Sequence, residues 1–173
     1  MKKIILSICL MAFAALTTQQ VLAHGGATGI VKQRMDSMEE MKDSVKAAGA
    51  IFKGRSDYNA DTIRKAAETI KIHSGDAITE LFPEGSLSRH SEAKPLIWDE
   101  WQRFKTLSER QTRMAEGLYL AADNQIGNNM ASANLSEQGM EDPQILGQMS
   151  SHAVFKMLVD NCSSCHDRYR EED

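Results

Sequence analysis

The sequence predicts an all-α fold, an antiparallel up-down-up-down four-helix bundle. Three observations predict it. Four long segments carry apolar residues every three or four positions. The chain's 3 prolines fall in a connection or in the first turn of a predicted helix. No segment shows the clean period-two alternation of a half-buried strand.

The first helix is expected over about 27–52. Val31, Met35, Met38, Val45, Gly49 and Phe52 recur along one face. Lys42 interrupts this stripe, and Met41 beside it is the better core residue. The polar, Gly-containing stretch 53–59 connects to a second helix over about 60–81, with Ile63, Ala67, Ile70, Ser74, Ile78 and Leu81 facing inward. Phe82-Pro83-Glu84-Gly85-Ser86 stops that helix, and a loop runs to Lys94. Pro95 suits the first turn of a third helix, which reaches about residue 122. Trp98, Trp101, Phe104, Leu107, Met114, Leu118 and Tyr119 give it bulk, as core and pocket packing. Residues 123–141 are rich in Asn, Ser and Gly and read as a loop. Asp142-Pro143 is an N-cap followed by an N1 proline, opening a fourth helix to about residue 170. The last residues, 171–173, read as a solvated acidic tail.

The fourth helix ends in Asn161-Cys162-Ser163-Ser164-Cys165-His166-Asp167-Arg168-Tyr169-Arg170. Cys-x-x-Cys-His is the pattern for covalent attachment of a c-type haem. Each thiol adds across a haem vinyl group, and the adjoining histidine reaches the iron. On a helix Cys162, Cys165 and His166 share one face, as gripping a porphyrin requires. Zinc binding would need further ligands, and no second Cys pair exists. A redox dithiol or a plain disulfide are the other readings of Cys-x-x-Cys.

The N-terminus supports haem attachment. A basic start at Lys2-Lys3, an apolar run over 4–16 and the ending Val21-Leu22-Ala23 make a secretory signal peptide. Cleavage is expected after Ala23, leaving 24–173 as one periplasmic domain with one haem c per chain. The apolar run is too short to stay as a membrane anchor. Cys9 would leave with the leader, and haem would account for the two cysteines that remain in an oxidising compartment. The formal charge of −4 becomes −6 without Lys2 and Lys3. That balance excludes nucleic acid as a partner and suggests basic patches on redox partner proteins.

A haem motif closing the last helix of a bundle resembles the class II cytochromes c, the cytochrome c-prime family with its low-spin cytochrome c-556 type. The resemblance runs through Val31-Lys32-Gln33-Arg34-Met35-Asp36-Ser37-Met38, Leu81 to Ser86, Lys94-Pro95-Leu96-Ile97-Trp98, Phe104, and Cys162 to Arg170. It implies that the first helix covers the distal haem face and that Met38, four after Arg34, lies closest to the iron. Members often carry Gln after that arginine, where this chain has Met35. It also implies that Arg170, one turn beyond His166, sits near the imidazole or a propionate. Arg34 and Arg170 are accordingly candidate propionate partners.

Met38 then decides between two functions. As the sixth ligand opposite His166 it gives a closed, low-spin iron suited to one-electron transfer, not an enzyme. As packing only, it leaves a five-coordinate, high-spin iron that binds NO or CO. The stretch 41–54 is more similar to the c-556 branch. Ordinary core packing is the plain alternative for one of 10 methionines. His152 lies too far along His166's own helix to cross the haem, and His73 and His90 are expected in ordinary solvated or satisfied roles. The resemblance allows a monomer or a homodimer.

Overall fold

The structure is a computed structural model, and it describes residues 26–125 and 141–171. The expected leader over 1–23, its cleavage after Ala23 and most of the loop expected over 123–141 lie outside the described residues.

Among the described residues seven α-helical segments follow in order: α1 Gly29–Phe52, α2 Ala60–Ile72, α3 Asp76–Thr79, α4 Leu96–Asp99, α5 Trp101–Leu120, α6 Pro143–Leu146 and α7 Ser151–Tyr169. A short 3-10 helix, Ala121–Asp123, extends α5. The four long helices α1, α2, α5 and α7 are the expected up-down-up-down bundle. The starts are set by local chemistry. Asn59 accepts from the Thr62 N–H at 2.7 Å, Asp142 from the Gln144 N–H at 2.8 Å, and Ser150 from the Ala153 N–H at 3.3 Å.

Three of the expected helices are interrupted, each for a local reason. The second ends at Ile72 because Gly75 takes φ 64°, a left-handed conformation. Gly75 then exchanges hydrogen bonds with Ser108, its N–H to the Ser108 carbonyl at 3.2 Å and its carbonyl from the Ser108 hydroxyl at 3.0 Å. The third expected helix breaks at Glu100, where φ −116° and ψ 33° separate α4 from α5. The fourth breaks after Leu146, where the Asn124 amide donates to the Gly147 and Met149 carbonyls at 2.7 and 3.1 Å. Pro95 also precedes α4 as its N-cap, one place earlier than expected.

Packing runs around the bundle as α1 on α2, α2 on α5 and α5 on α7. The fourth side is different. α1 and α7 meet at one end, where Phe52 lies 4.9 Å from Phe155, ring centre to ring centre. Towards the other end of that pair, cavities open between the helices. Two buried clusters flank that opening. Ile63, Ile70, Leu118, Leu146 and Leu158 centre the larger, against which Cys162 packs. Phe82, Ile97, Phe104 and Tyr169 centre the smaller, against which Met38 and Cys165 pack. The site is thus a gap left in an otherwise apolar core.

Candidate haem site

Cys162, Cys165 and His166 lie on the last turns of α7. Both cysteines are free and half-buried. Burial pushes both thiols up to about 11, with Gln111 pulling weakly against it at Cys162 and Cys162 adding to it at Cys165. Both are therefore neutral thiols near pH 7, apolar enough to face a porphyrin edge. A disulfide is not formed. Among the described residues no cluster of three or more His, Cys, Asp or Glu side chains is placed to hold a metal ion. Burial lowers the His166 pKa, as does the Arg170 guanidinium, while Asp167 and Glu92 pull the other way. The result favours the neutral imidazole, the form that binds a metal.

Two cavities, of about 500 and 280 Å³, lie side by side between α1 and α7. Met38, Lys42, Phe104, Cys165 and His166 line both, so they form one slot. Met35 faces the larger part only and Met41 the smaller. Among the described methionines Met38 alone borders both. Met41 also packs on the larger core cluster, as the sequence suggested.

Arg34 is not a solvated helix charge. It is 4% exposed, and burial lowers its pKa. Its Nε donates to the Leu81 carbonyl at 2.7 Å, and Nη2 to the Ser86 carbonyl and hydroxyl at 2.7 Å each. The guanidinium carbon stands 4.2 Å over the Phe82 ring. Two of its three nitrogens thus tie α1 to the 81–86 turn. The third, Nη1, is buried without a partner among the described residues, on a residue that lines the larger cavity. Arg170 lines that cavity too. Its Nε donates to Glu92 at 2.7 Å, and its backbone N–H to the His166 carbonyl at 2.9 Å.

Three features of the site were not foreseen in the sequence. Residues 92–94 run alongside the end of α7, with the Lys94 N–H donating to the Tyr169 carbonyl at 2.8 Å. No sequence signal marks this pairing. Glu100, at the kink between α4 and α5, accepts from Tyr169 Oη at 3.0 Å and from Arg168. Gln111 and Asn161 form a buried amide pair behind Cys162. Asn161 Nδ2 donates to Gln111 Oε1 at 2.7 Å and to the Leu107 carbonyl at 3.0 Å. Gln111 has a signal, for it fills the inward position between Leu107 and Met114.

The other histidines behave differently from one another. His73 lines the smaller cavity, with Nε2 3.0 Å from a Glu40 carboxylate oxygen. His152 stacks on Phe52 at 5.2 Å, at the end of the bundle where α1 and α7 meet. His90 Nε2 lies 3.0 Å from Arg89 Nε.

These residues fit a covalently held haem. The larger cavity is within the roughly 300–1,000 Å³ of cofactor pockets. Its walls are mainly apolar, two free thiols and an imidazole border the slot, and Arg34 Nη1 is a buried donor with no partner among the described residues. Such an orphan calls for a partner.

A family model described as Cytochrome C' matches residues 29–142, ending before the Cys162–His166 motif. The chain is 28% identical over 142 residues to a cytochrome c-556 of Agrobacterium tumefaciens (strain II Chrys), covering 82% of this chain and 97% of the relative. It is 25% identical over 154 residues to a cytochrome c' of Rhodopseudomonas palustris, covering 87% and 89%. The solved structure of cytochrome c' from Rhodopseudomonas palustris superposes with a TM-score of 0.63 at 22% identity, covering 85% of this chain and 99% of that one.

Proposed function

The chain belongs to the cytochrome c' family, and from that premise we propose that it is a periplasmic one-electron carrier with a haem c closed on both faces. One observation carries the reading: Met38 borders both parts of the slot that His166 also borders. A thioether on the α1 wall and an imidazole on the α7 wall are the two groups that low-spin ligation needs.

The haem, when bound, supplies a one-electron ferric/ferrous couple. The protein's residues do the rest. Cys162 and Cys165 supply the thiols for the two thioether bonds. His166 would hold the iron through its imidazole, whose pKa burial and Arg170 lower. Arg170 is itself steadied by Glu92. Met38 would hold the iron from the α1 wall through its thioether; it lies in the interior of a 24-residue helix that Arg34 anchors four residues earlier. A closed coordination sphere would need little rearrangement between redox states, which suits electron transfer. Arg34 Nη1 offers a propionate the hydrogen bond it lacks within the protein. Cleavage after Ala23, export and 24–173 as one domain belong to the same reading. Its partners are redox proteins, and the carrier is a monomer or a homodimer.

Replacing the thioether tests the ligand assignment. Met38→Ala should turn a low-spin holoprotein high-spin and make its ferrous form bind CO, while His73→Ala leaves the spectrum unchanged. A low-spin spectrum in Met38→Ala that His73→Ala abolishes would assign the sixth position to His73. The five-coordinate, NO- and CO-binding alternative requires that wild type already bind CO.

A further inference from the structure

A third cavity, of about 350 Å³, lies between α1 and α7 next to the haem slot. Among the described residues four cations border it, Lys46, Lys53, Arg55 and Lys156, and no carboxylate does. Its floor is apolar, with Gly49, Phe155 and Val159. The chain as a whole is acidic, with formal charge −4, so this grouping runs against the composition. Lys53 and Arg55 pair with no carboxylate among the described residues. Lys46 and Lys156 pair only with carboxylates on their own helices, Asp43 at 3.2 Å and Asp160 at 2.6 Å, in mostly exposed pairs. Exposed pairs of this kind are weak and re-form readily with another anion.

The groove also adjoins the haem slot. Val45 and Lys46 border both it and the smaller part of the haem slot. Lys156 precedes Cys162 by six residues on α7, roughly 9 Å along the axis.

We propose that this basic groove docks a redox partner through a carboxylate-rich patch on that partner. The proposal rests on the electron-carrier reading above and gives it a direction. Net charge alone suggests a basic partner, but encounter is steered by how charge is distributed over the surface, and a cleft lined by one sign focuses the field. Charge-steered contact with a small, wet interface suits a partner that must leave after each electron.

The test uses the ferrous holoprotein and two small oxidants of opposite charge. Ferricyanide takes one electron from the ferrous haem and becomes ferrocyanide, with no proton moved. Tris(phenanthroline)cobalt(III), a cation, takes one electron likewise. With wild type, ferricyanide oxidation should slow as salt rises, although the protein is acidic overall. Lys53→Glu/Arg55→Glu should lower the low-salt ferricyanide rate roughly tenfold and speed the cobalt reaction. Lys65→Glu/Arg89→Glu, the same charge change outside the groove, should alter either rate less than about twofold. A short poly-glutamate peptide should slow the wild-type reaction and leave the groove variant unaffected. Equal effects of the two double variants, or poly-glutamate acting on both alike, would overturn the groove. A wild-type ferrous spectrum that shifts with CO would instead overturn the carrier reading, whatever the salt response.

Discussion

Tyr169 Oη donates to the Glu100 carboxylate at 3.0 Å, across the junction between the α4–α5 kink and the last residue of α7. Arg168 donates to the same carboxylate. The chain segment that carries His166 is therefore fastened three residues beyond it, to a residue far away in sequence. Arg168 holds the Glu100 carboxyl down to about 2, helped by Tyr169, while burial and the Glu100 contact push the Tyr169 hydroxyl up to about 12.

This clamp has a defined acid range. A carboxyl whose folded pKa is depressed adds stability above its unfolded pKa, and loses it as pH falls through the folded one. For Glu100 that window runs from the ordinary carboxylate range of about 4.3 down to about 2. Thermal midpoints of wild type and Glu100→Gln should differ by a constant amount above that range and converge as pH falls toward 2. A gap that stays constant down to the lowest pH would contradict the clamp.

Arg34→Met should destabilise the fold by about 1.5–3 kcal/mol, because it strands the Leu81 and Ser86 carbonyls that a charged donor now satisfies. Denaturant unfolding measures that loss. The same change should lower the reduction potential, since a cation beside the haem favours the electron-rich state. A loss of stability with no change in potential would limit Arg34 to its structural role.

Gln111 and Asn161 should behave as a coupled pair. Asn161→Leu alone leaves the buried Gln111 Oε1 without its donor and should cost about 1–3 kcal/mol. Adding Gln111→Leu should recover part of that cost, because removing both partners of a buried bond is gentler than removing one. Strictly additive losses in urea unfolding would show the two amides to be independent.

Gly117 is a packing requirement. A Cβ there would sit 2.4 Å from the Leu146 Cβ, so α5 and α6 would have to separate. Gly117→Ala should cost about 1–3 kcal/mol and lower the melting temperature without altering the haem spectrum. A neutral substitution would mean that the short helix α6 shifts freely.

The legible parts of this protein are those whose signal is local. The Cys162–Cys165–His166 spacing states its own chemistry, and the apolar period of α1, α2, α5 and α7 states the bundle. The helix breaks are less local. At Gly75 the glycine itself was a cue, but Ile70 and Ile78 keep the apolar period running across it. At Glu100 there is no cue, because the kink is held by Arg168 and Tyr169 at the other end of the chain. Arg34 reads as a candidate propionate partner, and only the folded 81–86 turn reveals that two of its nitrogens are taken up there. The basic groove is illegible for the same reason, since Lys53 and Lys156 are about a hundred residues apart and meet only when α1 lies against α7.

The central claim is a closed haem, with His166 and Met38 on its two faces. The optical spectrum of the reduced holoprotein, recorded before and after CO, tests it most directly. The account predicts sharp, split α and β bands that CO leaves unchanged. A broad high-spin spectrum that CO shifts at once would contradict it, and would make the protein a gas-binding member of its family.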